Sequence, residues 1–238
     1  MKIFDLDSPL INFLNKVADL MWLNILTMIC CIPIITAGAS LTAMHYMALK
    51  IVRNEECYIT RGFFKSFKEN FKQATIIWLI LLLVVVILVG DVYIIMKSGI
   101  EFHMVLRVVI MAAAVLVAFT ATFVFPVLAK FENSVKGTIK NAFLMSILQF
   151  PKTITMIVLN ILPAVLFIYF FQMIPVIFLF GFSLPAFLGA FLYNKFFQKL
   201  EEQLLVEAGE NAEEVREEEE ERIFKDELDE SLVTKENV

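Results

Sequence analysis

The sequence contains few cysteines and histidines, the side chains that most often bind transition metals. Only three cysteines and two histidines occur in 238 residues. His45 and His103 lie in different segments with no carboxylate or thiol at ligand spacing, so no metal site is predicted. Cys30, Cys31 and Cys57 form no redox motif, and an adjacent pair in an apolar run is poorly placed for a disulfide. We interpret them as small packing residues.

Motifs of the common enzyme classes are absent as well. The chain has no Walker A sequence, no glycine-rich dinucleotide turn, no HExxH and no GxSxG. An enzyme of a familiar hydrolytic or nucleotide-using type is therefore disfavoured. We expect a protein that is not an enzyme and that carries no cofactor.

Charge is missing from a long part of the chain. Residues 153–194 form a run of 42 positions without Asp, Glu, Lys or Arg, about twice the ~20 residues that one helix needs to cross a bilayer. The whole chain is 59% hydrophobic and has 24 Phe against 8 Gly, which exceeds the apolar share of soluble domains. The composition predicts an all-α, polytopic membrane protein.

The lengths of the apolar runs predict five membrane-spanning helices within residues 1–200. A stretch at Ser40–Asn54 also has an apolar helical face, but its apolar part reaches less than about 20 Å, which is too short to cross. An interfacial or a re-entrant helix is predicted there, and the sequence does not choose between them. The five predicted spans lie at about 17–37, 74–96, 105–128, 154–171 and 175–194.

Aromatic and basic residues alternate directly before the second predicted span. Residues 63–72, here called the basic aromatic segment, read FFKSFKENFK. The phenylalanines recur at helical spacing and the lysines flank them, which is typical of an amphipathic helix in the headgroup plane of a membrane. Its lysines are expected to face anionic lipid. The predicted lipid-contacting residues are Phe64, Lys65, Phe67, Lys68, Phe71 and Lys72.

Positive charge alternates between the predicted connections. Residues 50–72 and 129–152 contain six and four Lys or Arg, and Lys195 and Lys199 follow the last span. The opposite connections contain little positive charge. By the positive-inside rule, the basic connections and the C-terminal tail are predicted to be cytoplasmic and the N-terminus outside. The predicted location is the cell membrane.

Three ionisable residues fall near the outer ends of predicted spans, namely Asp19, Asp91 and Arg107. A charge in hydrocarbon costs a few kcal/mol or more and is usually paired or functional. One hypothesis is a polar cluster at the mouth of a cavity that binds a solute or a proton. The alternative is that Asp91 pairs with Arg107 or Lys97, or extends to water.

The last 38 residues differ from the rest in charge. Residues 201–238 contain 16 Asp or Glu and 4 Lys or Arg, whereas residues 1–200 contain 9 and 16. Such a segment cannot bury enough apolar area to fold by itself, so a partly helical or disordered cytoplasmic tail is predicted. The tail can bind a basic partner, shield the basic inner surface of the protein, or remain solvated. Nucleic-acid binding is not expected, because like charge repels phosphate.

Several stretches resemble the YesL-like family of bacterial membrane proteins, known best from Gram-positive bacteria. They are FDLDSPLINFLNKVADLMWLNILTMICCIPIITAGASLTAMHYM, EECYITRGFFKSFKENFKQATIIWLI, FPVLAKFEN and KNAFLMSI. The resemblance covers about residues 4–200. The chain departs from the family at Cys57, where a glycine is expected, and in its acidic tail.

The resemblance implies a function only in outline, because the family has no defined catalytic residues. Its members are often encoded beside carbohydrate ABC transporters and glycan-degrading enzymes. We therefore expect a non-enzymatic accessory or regulatory component of carbohydrate (ABC-type) uptake, with anionic lipids and ABC transporter subunits as partners. The alternative is an autonomous small-solute transporter or channel. The oligomeric state is not predicted.

Overall fold

A computed structural model describes residues 9–55, 58–97 and 103–236, with side chains described from residue 10 to residue 209 within these ranges. These residues form helices and no strand. Short 3₁₀ turns lie at Ile34–Thr36 and Phe171–Met173. Cys57 lies outside the described residues. The helices are α1 (Pro9–Cys31), α2 (Ala37–Val52), α3 (Ile59–Lys97), α4 (Met104–Lys130), α5 (Val135–Leu148), α6 (Phe150–Tyr169), α7 (Ile174–Phe180) and α8 (Ser183–Glu236).

Four helices of the described chain are long and apolar enough to cross a membrane, namely α1, α3, α4 and α6. The segments Phe171–Phe180 and Ser183–Gly209 make a fifth span if they are taken together, and they are bent by 57° at their junction. The protein is therefore an all-α polytopic membrane protein. The sequence predicted a continuous fifth helix at 175–194, and the structure has a broken one.

The first membrane helix ends earlier than the predicted span at 17–37. α1 stops at Cys31 because Pro33 follows, with φ and ψ of −75° and 117°, and the residue before a proline is disfavoured in the helical region. The Thr36 hydroxyl donates to the Cys30 carbonyl at 2.6 Å. Trp78 of α3 donates from its Nε1 to the Ile34 carbonyl at 2.7 Å. The turn after α1 is thereby attached to α3.

The helix α2 is the interior of the bundle. Of its 16 residues, 13 are buried, and it packs against α1, α3 and α4. Of the two predictions for Ser40–Asn54, the interfacial helix is therefore wrong, because a helix in the membrane surface would leave one side uncovered, and the re-entrant helix stays a prediction. The chain instead turns back after α1 and buries α2 inside the protein. Ser40 Oγ donates to the Thr27 carbonyl of α1 at 3.0 Å within this interface.

Small residues allow α2 and α3 to approach each other closely. A Cβ atom on Gly38 would lie 2.5 Å from both the Ala74 carbonyl oxygen and the Trp78 Cβ. A Cβ atom on Gly62 of α3 would lie 2.6 Å from the Met47 sulfur. Residue 38 thus faces residues 74–78, and residue 47 faces residue 62. The two helices are therefore antiparallel and nearly in backbone contact at Gly38.

The end of α2 is closed by a local motif. Asn54 has a positive φ of 55°, and the Glu55 amide donates to the Lys50 carbonyl at 3.1 Å while the Asn54 amide donates to the Ile51 carbonyl at 3.3 Å. This is the Schellman pattern, which satisfies the last carbonyls of a helix and tolerates asparagine in the left-handed position. It directs the chain back toward α3.

The basic aromatic segment is part of α3, which runs without a break from Ile59 to Lys97. The sequence predicted a separate helix in the headgroup plane. In the structure, residues 63–72 continue the helix that contains the second predicted span. A helix of 39 residues is about 58 Å long at 1.5 Å per residue, which is far longer than the ~30 Å of hydrocarbon.

The chain divides into two compact units, Met1–Tyr193 and Asn194–Val238. The first contains α1 to α7 and the beginning of α8. The second is the remainder of α8, whose backbone is helical to Glu236. The backbone of the acidic tail is therefore helical over nearly all its length.

Candidate functional site

The three ionisable residues predicted as a polar cluster do not come together. Asp19 lies beside Arg61, near the start of α3. Asp91 is 30 residues further along the same helix, or about 45 Å away at 1.5 Å per residue. Arg107 follows the start of α4 and lies at the same end of the α3 and α4 hairpin as Asp91. Asp19 is therefore far from Asp91 and Arg107, because it lies near the start of a long helix and they lie near its end.

The alternative was that Asp91 pairs with Arg107 or Lys97 or extends to water, and the ion pair is not seen among the described residues. Within the described part of the chain, Asp91 forms no ion pair with Arg107 or Lys97. Asp91 is half-buried and Arg107 is exposed. Both lie close to a helix end, where the long side chain of Arg107 reaches water at little cost.

Asp19 instead lies in a groove between α1 and the first turns of α3. Trp22 Nε1 donates to the Thr60 hydroxyl at 2.8 Å across this groove. Three cationic side chains line it beside the one carboxylate of Asp19, so the groove is positively charged overall. The cations are Arg61, Lys65 and Lys68.

The residues predicted to contact lipid are arranged along α3 as the spacing requires. Phe64 and Phe71 are exposed, Phe67 is half-buried, and the three lysines are exposed. The Phe67 and Phe71 rings lie 5.5 Å apart, and Phe67 also stacks on the fully buried Phe63 at 6.2 Å. Phe63 anchors the row of rings to the bundle. The outer rings and the lysines remain available for contacts outside the protein.

Asn24 of α1 holds the break between α7 and α8. It is fully buried. Its Nδ2 donates to the Phe178 carbonyl at 2.7 Å, and its Oδ1 accepts from the Phe182 and Ser183 amides at 2.8 and 3.0 Å. Backbone groups at the ends of a broken helix need such partners in an apolar environment. One side chain thus satisfies both ends of the break.

Beside the break lies a cavity of about 490 Å³, bounded by α2, α4, α6 and the α7 to α8 junction. Most of its lining is apolar and includes Leu41, Phe125 and Phe167. Among the described residues, the polar side chains in its lining are His45, Thr122 and Asn160, and none of the lining residues is charged. Cavities of about 300–1,000 Å³ with mainly apolar walls and a few polar groups are the usual form of small-ligand sites.

His45 is one of the buried polar residues that line this cavity. It is 8% exposed, and its Nδ1 is buried with no hydrogen-bond partner among the described residues. Burial lowers the pKa of His45 to about 4, so the imidazole is neutral near pH 7. The described residues contain no group of His, Cys, Asp and Glu that could hold a metal ion. Hydrogen bonding is therefore the chemistry that His45 offers here.

Sequence reasoning missed the cavity and the role of His45. The residues around it come from α2, α4, α6 and α7 and have no common spacing in the chain. Pro163 and Asn160, three residues apart within an apolar helix, were the only local signal, because both residue types mark interrupted membrane helices. That signal does not reveal which other helices would pack there.

A family model described as "Protein of unknown function, DUF624" matches residues 20–92. The match covers most of α1, all of α2 and most of α3, which is less than a third of the chain. It is consistent with the resemblance to YesL-like proteins and assigns no activity. No curated protein and no solved structure matches this chain.

Proposed function

We propose that this membrane protein is a non-enzymatic accessory or regulatory component that binds another membrane protein, an ABC-type carbohydrate uptake system. The observation that carries the proposal is the acidic tail. Residues 201–238 contain 16 acidic and 4 basic side chains, and the backbone is helical to Glu236. A charged helix without an apolar core of its own is suited to a basic surface on a partner.

The transporter as partner rests on the resemblance to the YesL-like family and on the apolar helices. The proposed location is a bacterial cell membrane, with the N-terminus outside and the tail in the cytoplasm. The basic aromatic segment would then lie on the same side as the tail. Its exposed lysines would contact anionic lipid headgroups or acidic surfaces of the partner.

Crosslinking in native membranes tests this proposal. The full chain is crosslinked, affinity-purified and analysed by mass spectrometry beside a chain ending at residue 209. A third protein carries Gln at all five positions of Glu217–Glu221, which keeps the length and the helix propensity of the tail while removing five charges.

Recovery of an ABC permease or a sugar-binding subunit with the full chain, and its loss with both variants, would support docking through tail charge. Loss with the truncated chain alone would assign docking to another property of the tail. Equal recovery with all three proteins would refute the role of the tail. Recovery of no transporter subunit at all would refute the accessory function.

The second candidate is an autonomous small-solute transporter. It is favoured by the broken helix at α7 and α8 and by the cavity beside it, since interrupted helices often line substrate sites in transporters. Uptake of labelled sugars into proteoliposomes that contain only this protein separates the two functions. Transport above that of empty liposomes would favour this candidate over the accessory function.

A further inference from the structure

The cavity beside the broken helix is lined by His45, which has one buried ring nitrogen without a hydrogen-bond partner among the described residues. His45 is 8% exposed and its Nδ1 has no partner among the described residues. Leaving such a group unsatisfied costs about 1–3 kcal/mol, and buried polar groups in native proteins rarely lack a partner. A partner supplied by a ligand would remove this cost.

Two other polar groups face the same space. The Thr122 hydroxyl donates to the Ala118 carbonyl at 2.8 Å, so its oxygen can still accept a hydrogen bond. Asn160 also lines the cavity and forms no hydrogen bond with the described residues. Together with His45 these groups offer both donors and acceptors. They are few, and the rest of the lining is apolar.

The lining also restricts the kind of ligand. None of the described residues that line the cavity is charged, and a charged group without a counter-ion is costly to bury. Phe167 and Ile168 line the cavity and are 57% and 73% exposed. A ligand can therefore enter past α6 from the surroundings of the protein.

We propose that this cavity binds a small uncharged amphiphile, with an apolar body between α2, α4 and α6 and a hydroxyl group hydrogen-bonded to His45. This site is independent of the accessory function proposed above. Two sources fit the same chemistry. One is a long-chain alcohol that dissolves in the membrane, and the other is a small alcohol or phenol from solution.

Tryptophan fluorescence provides a direct test. The chain has two tryptophans, Trp22 and Trp78. The Trp78 ring lies 6.2 Å from the Phe125 ring, and Phe125 lines the cavity. The W22F protein in detergent therefore reports on the cavity through Trp78. The W78F protein is the matched control, because Trp22 lies in the groove between α1 and α3.

The probe is 8-bromo-1-octanol, whose bromine quenches tryptophan on contact, and 1-bromooctane is the analogue without the hydroxyl. We expect saturable quenching of Trp78 by the bromoalcohol and only linear, detergent-driven quenching of Trp22. Adding H45L to W22F should weaken the bromoalcohol about fivefold, which is the value of one ordinary hydrogen bond. The same change should leave bromooctane unaffected.

A second variant keeps the proposal testable if H45L does not fold. Ala164→Leu fills part of the cavity without removing a polar group, and it should weaken both probes. Linear quenching of Trp78, equal to that of Trp22, would overturn the site. An unchanged affinity of H45L for the bromoalcohol would overturn the assignment of the hydroxyl to His45.

Native mass spectrometry of protein taken from membranes distinguishes the two sources. Retention of a neutral long-chain alcohol, lost in A164L, would identify a membrane ligand. Protein without a bound molecule that takes up the bromoalcohol would identify a ligand from solution. Retention of a charged phospholipid that A164L loses would contradict the proposal.

Discussion

Replacing Asn24 with leucine should loosen the broken helix and destabilise the whole bundle. The side chain is fully buried and bonds to three backbone groups, the Phe178 carbonyl and the amides of Phe182 and Ser183. Leucine has the same branched shape and the same number of side-chain heavy atoms, but its methyl groups are bulkier and carry no polar atom. The variant therefore removes the hydrogen bonds while keeping the shape of the side chain.

The magnitude follows from the groups that lose their partner. Each buried donor or acceptor left unsatisfied costs about 1–3 kcal/mol, and loss of a helix N-cap side chain costs about 1 kcal/mol. Taking the low end of this range for each of the three groups gives a total of about 3 kcal/mol. For a chain of this size that corresponds to about 6–12 °C in melting temperature.

Two measurements check the prediction on protein purified in mild detergent. Thermal unfolding gives the melting temperature, and hydrogen exchange gives the protection of the amides between residues 178 and 186. Asn70→Leu is the matched control. Asn70 donates to the Ser66 carbonyl one turn earlier in the same helix at 3.0 Å, so its loss should change stability by no more than about 0.5 kcal/mol.

The reasoning would be refuted if N24L melted with the wild type and exchanged no faster around the break. A large loss of stability in N70L as well would show that the assay responds to any polar substitution. Faster exchange confined to residues 178–186 with an unchanged melting temperature would mean that the break opens without unfolding the bundle.

Three further predictions concern other parts of the structure. Gly38→Ala should destabilise the protein by about 1–3 kcal/mol, because the new Cβ is overpacked against α3. Gly90→Ala should stabilise the protein slightly, because no atom lies within 4 Å of its new Cβ. Equal melting temperatures of the two variants would contradict this prediction. The pKa of His45 is about 4 in the folded protein and about 6.5 in the unfolded chain. The neutral imidazole therefore makes its full contribution to the free energy of unfolding above pH 6.5. This contribution falls by up to about 3 kcal/mol as the pH is lowered to 4. H45L should flatten this part of the curve of melting temperature against pH, and parallel curves would contradict the assignment. Changing the lysines of the basic aromatic segment to glutamine should reduce retention of phosphatidylglycerol in native mass spectra, because each lysine contributes about 1 kcal/mol to the free energy of binding anionic lipid. Unchanged retention would rule out the lipid contact.

Much of the fold was predictable because it depends on the lengths of apolar runs. The 42 uncharged residues after Lys152 are about twice what one membrane-spanning helix needs. Pro33 explains the break after Cys31, although the predicted first span continued past it to residue 37. The burial of α2 was not predictable in the same way. Its face of Leu41, Met44 and Ala48 is equally suited to lipid and to neighbouring helices.

The candidate site was less predictable than the fold. Asp19, Asp91 and Arg107 were selected because a charged residue in an apolar helix is rare and easily recognised in a sequence. His45 and Asn24 are uncharged and lie among ordinary neighbours in the sequence. Their roles depend on contacts with α7 and α8, which are more than 100 residues away along the chain.

The sequence by itself therefore determined the class of the protein, the helical segments and the charge of the tail. These properties depend on local composition and on the energy of placing residues in hydrocarbon. The tertiary structure decided that α2 is the core, that α7 and α8 are held by Asn24, and that a cavity forms around His45. These features depend on which apolar surfaces pack together. Apolar residues are favoured both against lipid and against other helices, so composition cannot distinguish a lipid-facing surface from a buried one.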